Sequence, residues 1–128
     1  MNCLLDTHTL IWSSISPSKL SERVRGLLKD ADNCLFLSIA SIWEMQIKLQ
    51  TGKLILYLPL PELVKSQQQN NDVQILPIDV SHIYALNSLP NHHRDPFDRI
   101  LIAQAMVENI PLLSIDAVFD AYPIQRMW

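Results

Sequence analysis

Glycine is scarce in this chain: 128 residues contain two, Gly26 and Gly52. That excludes collagen-like and linker-rich proteins, and it leaves no glycine-rich loop to cradle a phosphate. Cysteine is as rare, with Cys3 and Cys34 alone, so neither a disulfide scaffold nor a zinc-finger spacing is available. Both cysteines lie in apolar runs and are expected to be buried free thiols. No apolar run approaches the ~18 residues of a membrane span. Excess basic charge is missing too: ten Lys+Arg against thirteen Asp+Glu leave a net charge of −3. No whole-surface positive field draws such a chain onto nucleic acid, so a nucleic-acid role requires local basic residues or bound cations. The start, Met1-Asn2-Cys3-Leu4-Leu5-Asp6, meets an acid at once and lacks the basic opening and long apolar stretch of a leader. With unpaired thiols, this predicts a cytoplasmic protein.

What the chain does have is apolar content, 48% hydrophobic against 18% charged residues. At this length, folding hides roughly two-thirds of the unfolded surface, enough for one core without staples. A single domain over residues 1–128 is expected. Four short apolar runs recur: Cys3–Leu5, Leu35–Leu37, Val73–Ile78 and Leu112–Ile115. They are nearly continuous rather than alternating, as in strands buried on both faces of a parallel sheet. Between them lie stretches of helical period. Leu20, Val24, Leu27 and Leu28 form one, with Ser18 or Ser21 as cap, and Ile39 to Leu49 form another, closed by Thr51-Gly52. Pro61–Gln69 and Ser81–Leu89 follow. The stretch Asp95–Glu108 is the strongest, with Pro96 suited to the first helical position. Tyr122–Trp128 offers a last edge strand. Alternating strands and helices predict an α/β domain around a mostly parallel sheet.

Asp6 follows the first run directly and Asp116 the last; Glu44 lies in the helix after the second run, and Asp98 in the first turn of the helix opened by Asp95-Pro96. Open parallel sheets bind ligands beyond the carboxyl ends of their strands, so all four acids are placed toward one edge. Clustered carboxylates resist joint ionisation, and a hard divalent cation such as Mg²⁺ relieves that cost. Such a site suits displacement at a phosphodiester. Each acid also has a purely local reading. Asp6 caps a helix over Thr7–Ser14, and Ser41-Ile42-Trp43-Glu44 fits a capping box. Glu44 is placed to pair with Lys48, Asp95 reads as a cap, Asp98 complements the helix dipole, and Asp116 caps Ala117–Asp120. Other constellations are weaker. His92-His93 reads as a pair of exposed loop histidines, His8 and His82 stand isolated, and no nucleophile elbow is present.

Taken together, four blocks resemble PIN-domain nucleases, specifically the VapC-type toxins of bacterial toxin–antitoxin systems. They are Leu4-Leu5-Asp6-Thr7-His8-Thr9-Leu10-Ile11-Trp12, Ser38-Ile39-Ala40-Ser41-Ile42-Trp43-Glu44, Arg94-Asp95-Pro96-Phe97-Asp98-Arg99-Ile100-Leu101-Ile102-Ala103 and Pro111-Leu112-Leu113-Ser114-Ile115-Asp116. The resemblance runs from residue 2 to about residue 120. It implies a PIN-like three-layer α/β/α sandwich with a central mostly parallel sheet. It also implies metal-dependent endoribonuclease activity on RNA, Mg²⁺ or Mn²⁺ as cofactor, a cognate antitoxin as inhibitor, and a homodimer. By block matching, Asp6, Glu44, Asp98 and Asp116 take the four acidic positions. Asn109 stands where members usually carry glycine, and asparagine tolerates the left-handed conformation such a helix end needs. The contrasting expectation is a PIN-like module that binds RNA or protein without cutting.

Overall fold

The computed structural model describes residues 1–128. Its strands are β1 (Asn2–Leu5), β2 (Cys34–Ser38), β3 (Gln74–Leu76), β4 (Leu112–Leu113) and β5 (Arg126–Met127). Its helices are α1 (Thr7–Ile15), α2 (Glu22–Lys29), α3 (Ile39–Gln50), α4 (Leu60–Asn70), α5 (Val80–Ala85) and α6 (Pro96–Glu108). Short 3₁₀ turns cover Pro17–Lys19, Leu86–Ser88 and Ala117–Ala121. The strands form one sheet in the order β3-β2-β1-β4-β5, every pair parallel.

Strand residues alternate between two cores, which is why the apolar runs are continuous. Cys3, Leu5, Leu35, Leu37, Leu113 and Met127 face one cluster, completed by Leu10, Ile11, Val24, Met45 and Leu63 from α1 to α4. Leu4 and Leu112 face the other, completed by Leu101, Ile102 and Ala105 of α6 together with Phe119 and Tyr122. The result is the expected three-layer α/β/α sandwich, with the sheet parallel throughout.

The helix boundaries follow local chemistry. Asp6 caps α1, its Oδ1 accepting the Thr9 amide at 2.7 Å. Ser21, the second of the two candidate serines, caps α2. Asp95 caps α6 through the amides of Phe97 and Asp98, with Pro96 at the first position, and Asn109 closes that helix at φ 53°. Gly52 takes φ 73° just past α3, a left-handed turn that favours glycine. The Ser81–Leu89 stretch is shorter as an α-helix than expected and passes into a 3₁₀ turn at Leu86.

Two local expectations fail. Cys34 is exposed, whereas Cys3 is buried. Cys34 opens β2 at the sheet's amino end and pairs in register only with the exposed Asn2. The capping box at Ser41–Glu44 does not form. Ser38 caps α3 through the Ala40 amide, so Ser41 lies inside the helix, where its buried Oγ has no hydrogen-bond partner. No helix is long and apolar enough to cross a membrane.

Candidate functional site

The sheet order reverses direction at β1: the chain moves outward to β2 and β3, then returns to the other side for β4 and β5. A crevice at the carboxyl end of such a switch point is where open α/β sheets hold ligands. Here it lies between Asp6, immediately after β1, and Ser114, immediately after β4. Two bonds fix its width: the Asp6 amide donates to the Leu113 carbonyl at 3.2 Å, and Thr9 Oγ1 donates to the same oxygen at 2.8 Å.

Glu44 reaches this place from α3. It is 6% exposed, and Thr7 Oγ1, one residue after Asp6, donates to its Oε1 at 2.7 Å. The other oxygen takes the Lys48 ammonium at 2.8 Å, one helical turn on. That bond also holds the Lys48 ammonium above its ordinary pKa. The capping function assigned to Glu44 as an alternative is therefore absent, while the Lys48 pair is present. Asp98 comes from the first turn of α6. Its Oδ2 meets His93 Nε2 at 2.6 Å, and its Oδ1 makes no hydrogen bond. Burial pushes the Asp98 carboxyl up to about 6; the hydrogen bond from His93 opposes this, while the charges of Asp95 and Glu44 reinforce it.

The structure thus brings Asp6, Glu44 and Asp98 to one edge. Asp116 shares the edge but is exposed and engaged locally: its Oδ1 caps the 3₁₀ turn through the Val118 amide. Ser114 Oγ accepts the Asp116 amide at 3.0 Å. Arg126 steadies this corner from β5, clamping Asp120 through two bonds at 2.9 and 3.0 Å and donating to the Ser114 carbonyl at 3.1 Å. Asp120 is therefore spoken for by an arginine, which holds its carboxyl below the usual value.

The donor set suits a hard divalent cation. All the convergent groups are carboxylate oxygens, and Asp6 and Asp98 each keep one oxygen free of hydrogen bonds. The Lys48 ammonium, already paired with Glu44, sits where positive charge is needed. No three of the four acids bring their ligand atoms within 4.8 Å of one another. The one trio whose ligand atoms all lie within 4.8 Å is Asp79, His82 and Glu108, where the start of α5 meets the carboxyl end of α6.

That trio has an internal explanation. His82 is fully buried and its Nδ1 accepts the Asp79 amide at 2.9 Å, closing a capping box on α5. A ring nitrogen that accepts carries no proton, so the proton is on Nε2 and is donated to Glu108 Oε1 at 2.9 Å. Both nitrogens are used in binding the protein to itself.

Two histidines thus depart from the sequence reading. His93 is half-buried against Asp98 instead of standing free, and His82 is not isolated. Neither partner was visible locally; only His93, five residues before Asp98 across a proline, lay near enough to suggest a contact. Arg99, next to Asp98, is turned inward to the Pro90 and His93 carbonyls and tethers the loop before α6. A cavity of about 630 Å³ is lined by Ser13, Arg25, Lys29, Asn33 and Asp72 among others, at the amino end of the sheet and away from the four acids.

Comparison with known proteins gives a consistent picture. The family profile described as PIN domain matches residues 3–125. Among solved structures, VapBC2 from Rickettsia felis, bound to a promoter DNA fragment, superposes with a TM-score of 0.74 at 15% identity, covering 99% of this chain and 98% of the other. DNA-bound VapBC from Salmonella typhimurium gives 0.72 at 13% identity, with 99% and 97% covered. VapBC-1 from nontypeable Haemophilus influenzae gives 0.67 at 18%, again with 99% and 97% covered. No curated protein sequence matches significantly.

Proposed function

This chain belongs to the PIN-domain family, and from that premise we propose that it is a divalent-metal-dependent endoribonuclease, the toxin of a toxin–antitoxin pair. The observation that carries the proposal is the convergence of Asp6, Glu44 and Asp98 at the switch point of the sheet. The fold likeness to toxins captured in VapBC complexes supports an antitoxin as partner, and a homodimer is the expected assembly.

Asp6 and Asp98, each with one unbonded oxygen, would hold Mg²⁺ or Mn²⁺, with Glu44 beside them and Asp116 completing the pocket from β4. When bound, the cation neutralises the carboxylates and polarises a phosphodiester toward attack by water. Thr7 fixes the Glu44 carboxylate through one oxygen, and the second would orient a water or accept its proton once the Lys48 ammonium leaves it. Lys48 sits on that oxygen and, on the approach of RNA, is placed to move to a phosphate oxygen. His93 keeps the Asp98 carboxylate turned to the crevice. No nucleophilic serine or cysteine is required.

Purified protein, free of antitoxin, is expected to cut cellular RNA into discrete fragments with Mg²⁺ or Mn²⁺ and to leave it intact in EDTA. Cleavage that persists unchanged in EDTA would sink the metal assignment. Intact RNA under every condition, with the chain folded, would favour the non-cutting module.

A further inference from the structure

We propose that Trp43 is a base-stacking residue that holds an unpaired nucleobase of the substrate beside the acidic crevice. The inference rests on the nuclease reading above and adds what that reading lacks, a source of adhesion for RNA. The chain carries a net charge of −3 and the crevice gathers carboxylates, so phosphates are repelled wherever a cation does not stand between. Two of the basic residues nearest the acids are engaged, Lys48 with Glu44 and Arg99 with backbone carbonyls, which leaves the exposed Lys53 and Arg94. Contact with bases supplies binding that charge cannot, because every base has a π-face and stacking needs no counter-charge.

Trp43 has the geometry for it. It is 59% exposed, an unusual state for so large an apolar side chain, and it immediately precedes Glu44 on α3. Its ring meets that of Phe97 at 5.1 Å and 86°. A perpendicular contact leaves at least one face of the indole clear of Phe97. Phe97 in turn immediately precedes Asp98, and its amide is fixed by the Asp95 cap. The aromatic pair therefore bridges the two helices that deliver Glu44 and Asp98, held by the same turns that aim those acids. Ile39, one turn earlier on α3 and 43% exposed, extends the apolar strip. The other tryptophans are placed differently: Trp12 and Trp128 pack on each other at 5.9 Å and against the core under α1. A base on Trp43 must be unpaired, which selects single-stranded segments and loops over duplex.

The test uses the full chain carrying Asp6→Asn, with Mg²⁺ present, titrated with a ten-nucleotide oligo(A) strand and with a blunt RNA duplex. Single strand is expected to quench tryptophan emission. Trp43→Phe should remove that quench, and Trp43→Leu should weaken single-strand binding about tenfold, leaving duplex binding unchanged. Absence of quenching at saturating strand, or equal affinity in Trp43→Leu, overturns the proposal. So does a fall in molecular mass of Trp43→Leu by light scattering with RNA affinity intact, which would make Trp43 a protein contact. Failure of the nuclease reading is read separately, as an intact oligonucleotide after incubation with the wild-type chain and Mg²⁺, whatever Trp43 does to binding.

Discussion

Asp98→Asn is expected to abolish RNA cleavage, by on the order of 10²-fold or more, while the protein stays folded. Replacing a group that only supports a ligand already costs roughly 10- to 100-fold in metal sites, and Asp98 is proposed as a ligand itself. The amide keeps the shape and can still bond to His93, but it lacks the negative charge that a divalent cation requires. Asp6→Asn should behave alike, because both residues contribute an unbonded oxygen to the crevice. Asp116→Asn is expected to cost less, because Asp116 is exposed and its Oδ1 serves the following turn. The check is a side-by-side comparison of initial rates at saturating Mn²⁺. Equal losses at Asp95 and Asp98 would undo the distinction drawn between cap and ligand.

The second large effect is on stability. Asp98 ionises near 6 in the folded chain and at 3.8 ordinarily, so between those values the folded state binds the extra proton. Its contribution to stability is therefore fully present below about 3.8 and is lost as pH rises through about 6. A shift of this size amounts to about 3 kcal/mol, or roughly 10 °C in melting temperature for a domain of this length. Other carboxylates run the opposite way; Asp120, lowered by Arg126, is one. The quantity to measure is accordingly the difference between wild type and Asp98→Asn in EDTA across pH 4 to 8. The variant should be relatively more stable as pH rises. Excess Mn²⁺ should reverse the order at pH 7.5 and do little at pH 5, where Asp98 is protonated. A difference that is flat with pH would mean that the carboxyl is not held under strain by burial and its acidic neighbours.

The layers of the fold were legible because parallel strands covered on both faces leave a continuous apolar signature. Cys3-Leu4-Leu5 and Leu35-Phe36-Leu37 each send alternate side chains to separate cores, so no polar residue interrupts them. Caps were legible for a similar reason: Asp6, Ser21, Asp95 and Asp116 satisfy amides two or three residues away. The failures share a cause of the opposite kind. Ser41 and Glu44 match a local box, but Ser38 offers a cap at the true strand end and Thr7, 37 residues away from Glu44 in the chain, takes the glutamate. His82 bonds Glu108 across 26 residues, so nothing near it in sequence announces a partner. Trp43 was visible as an apolar residue on a helical stripe. Its exposure was not, because that depends on how α6, through Phe97, packs beside it. The same holds for the acids: their order after the strands showed a shared edge, while the pairings with Lys48 and His93 that distinguish Glu44 and Asp98 emerge only in three dimensions.

On this reading the carboxylates at the switch point, and not the Asp79–His82–Glu108 trio, form the metal site. Anomalous diffraction from crystals grown with Mn²⁺ tests it most directly. A peak bounded by the carboxylates of Asp6, Glu44 and Asp98 is the predicted result. A peak confined to His82 and its neighbours, or none at saturating Mn²⁺, would contradict it.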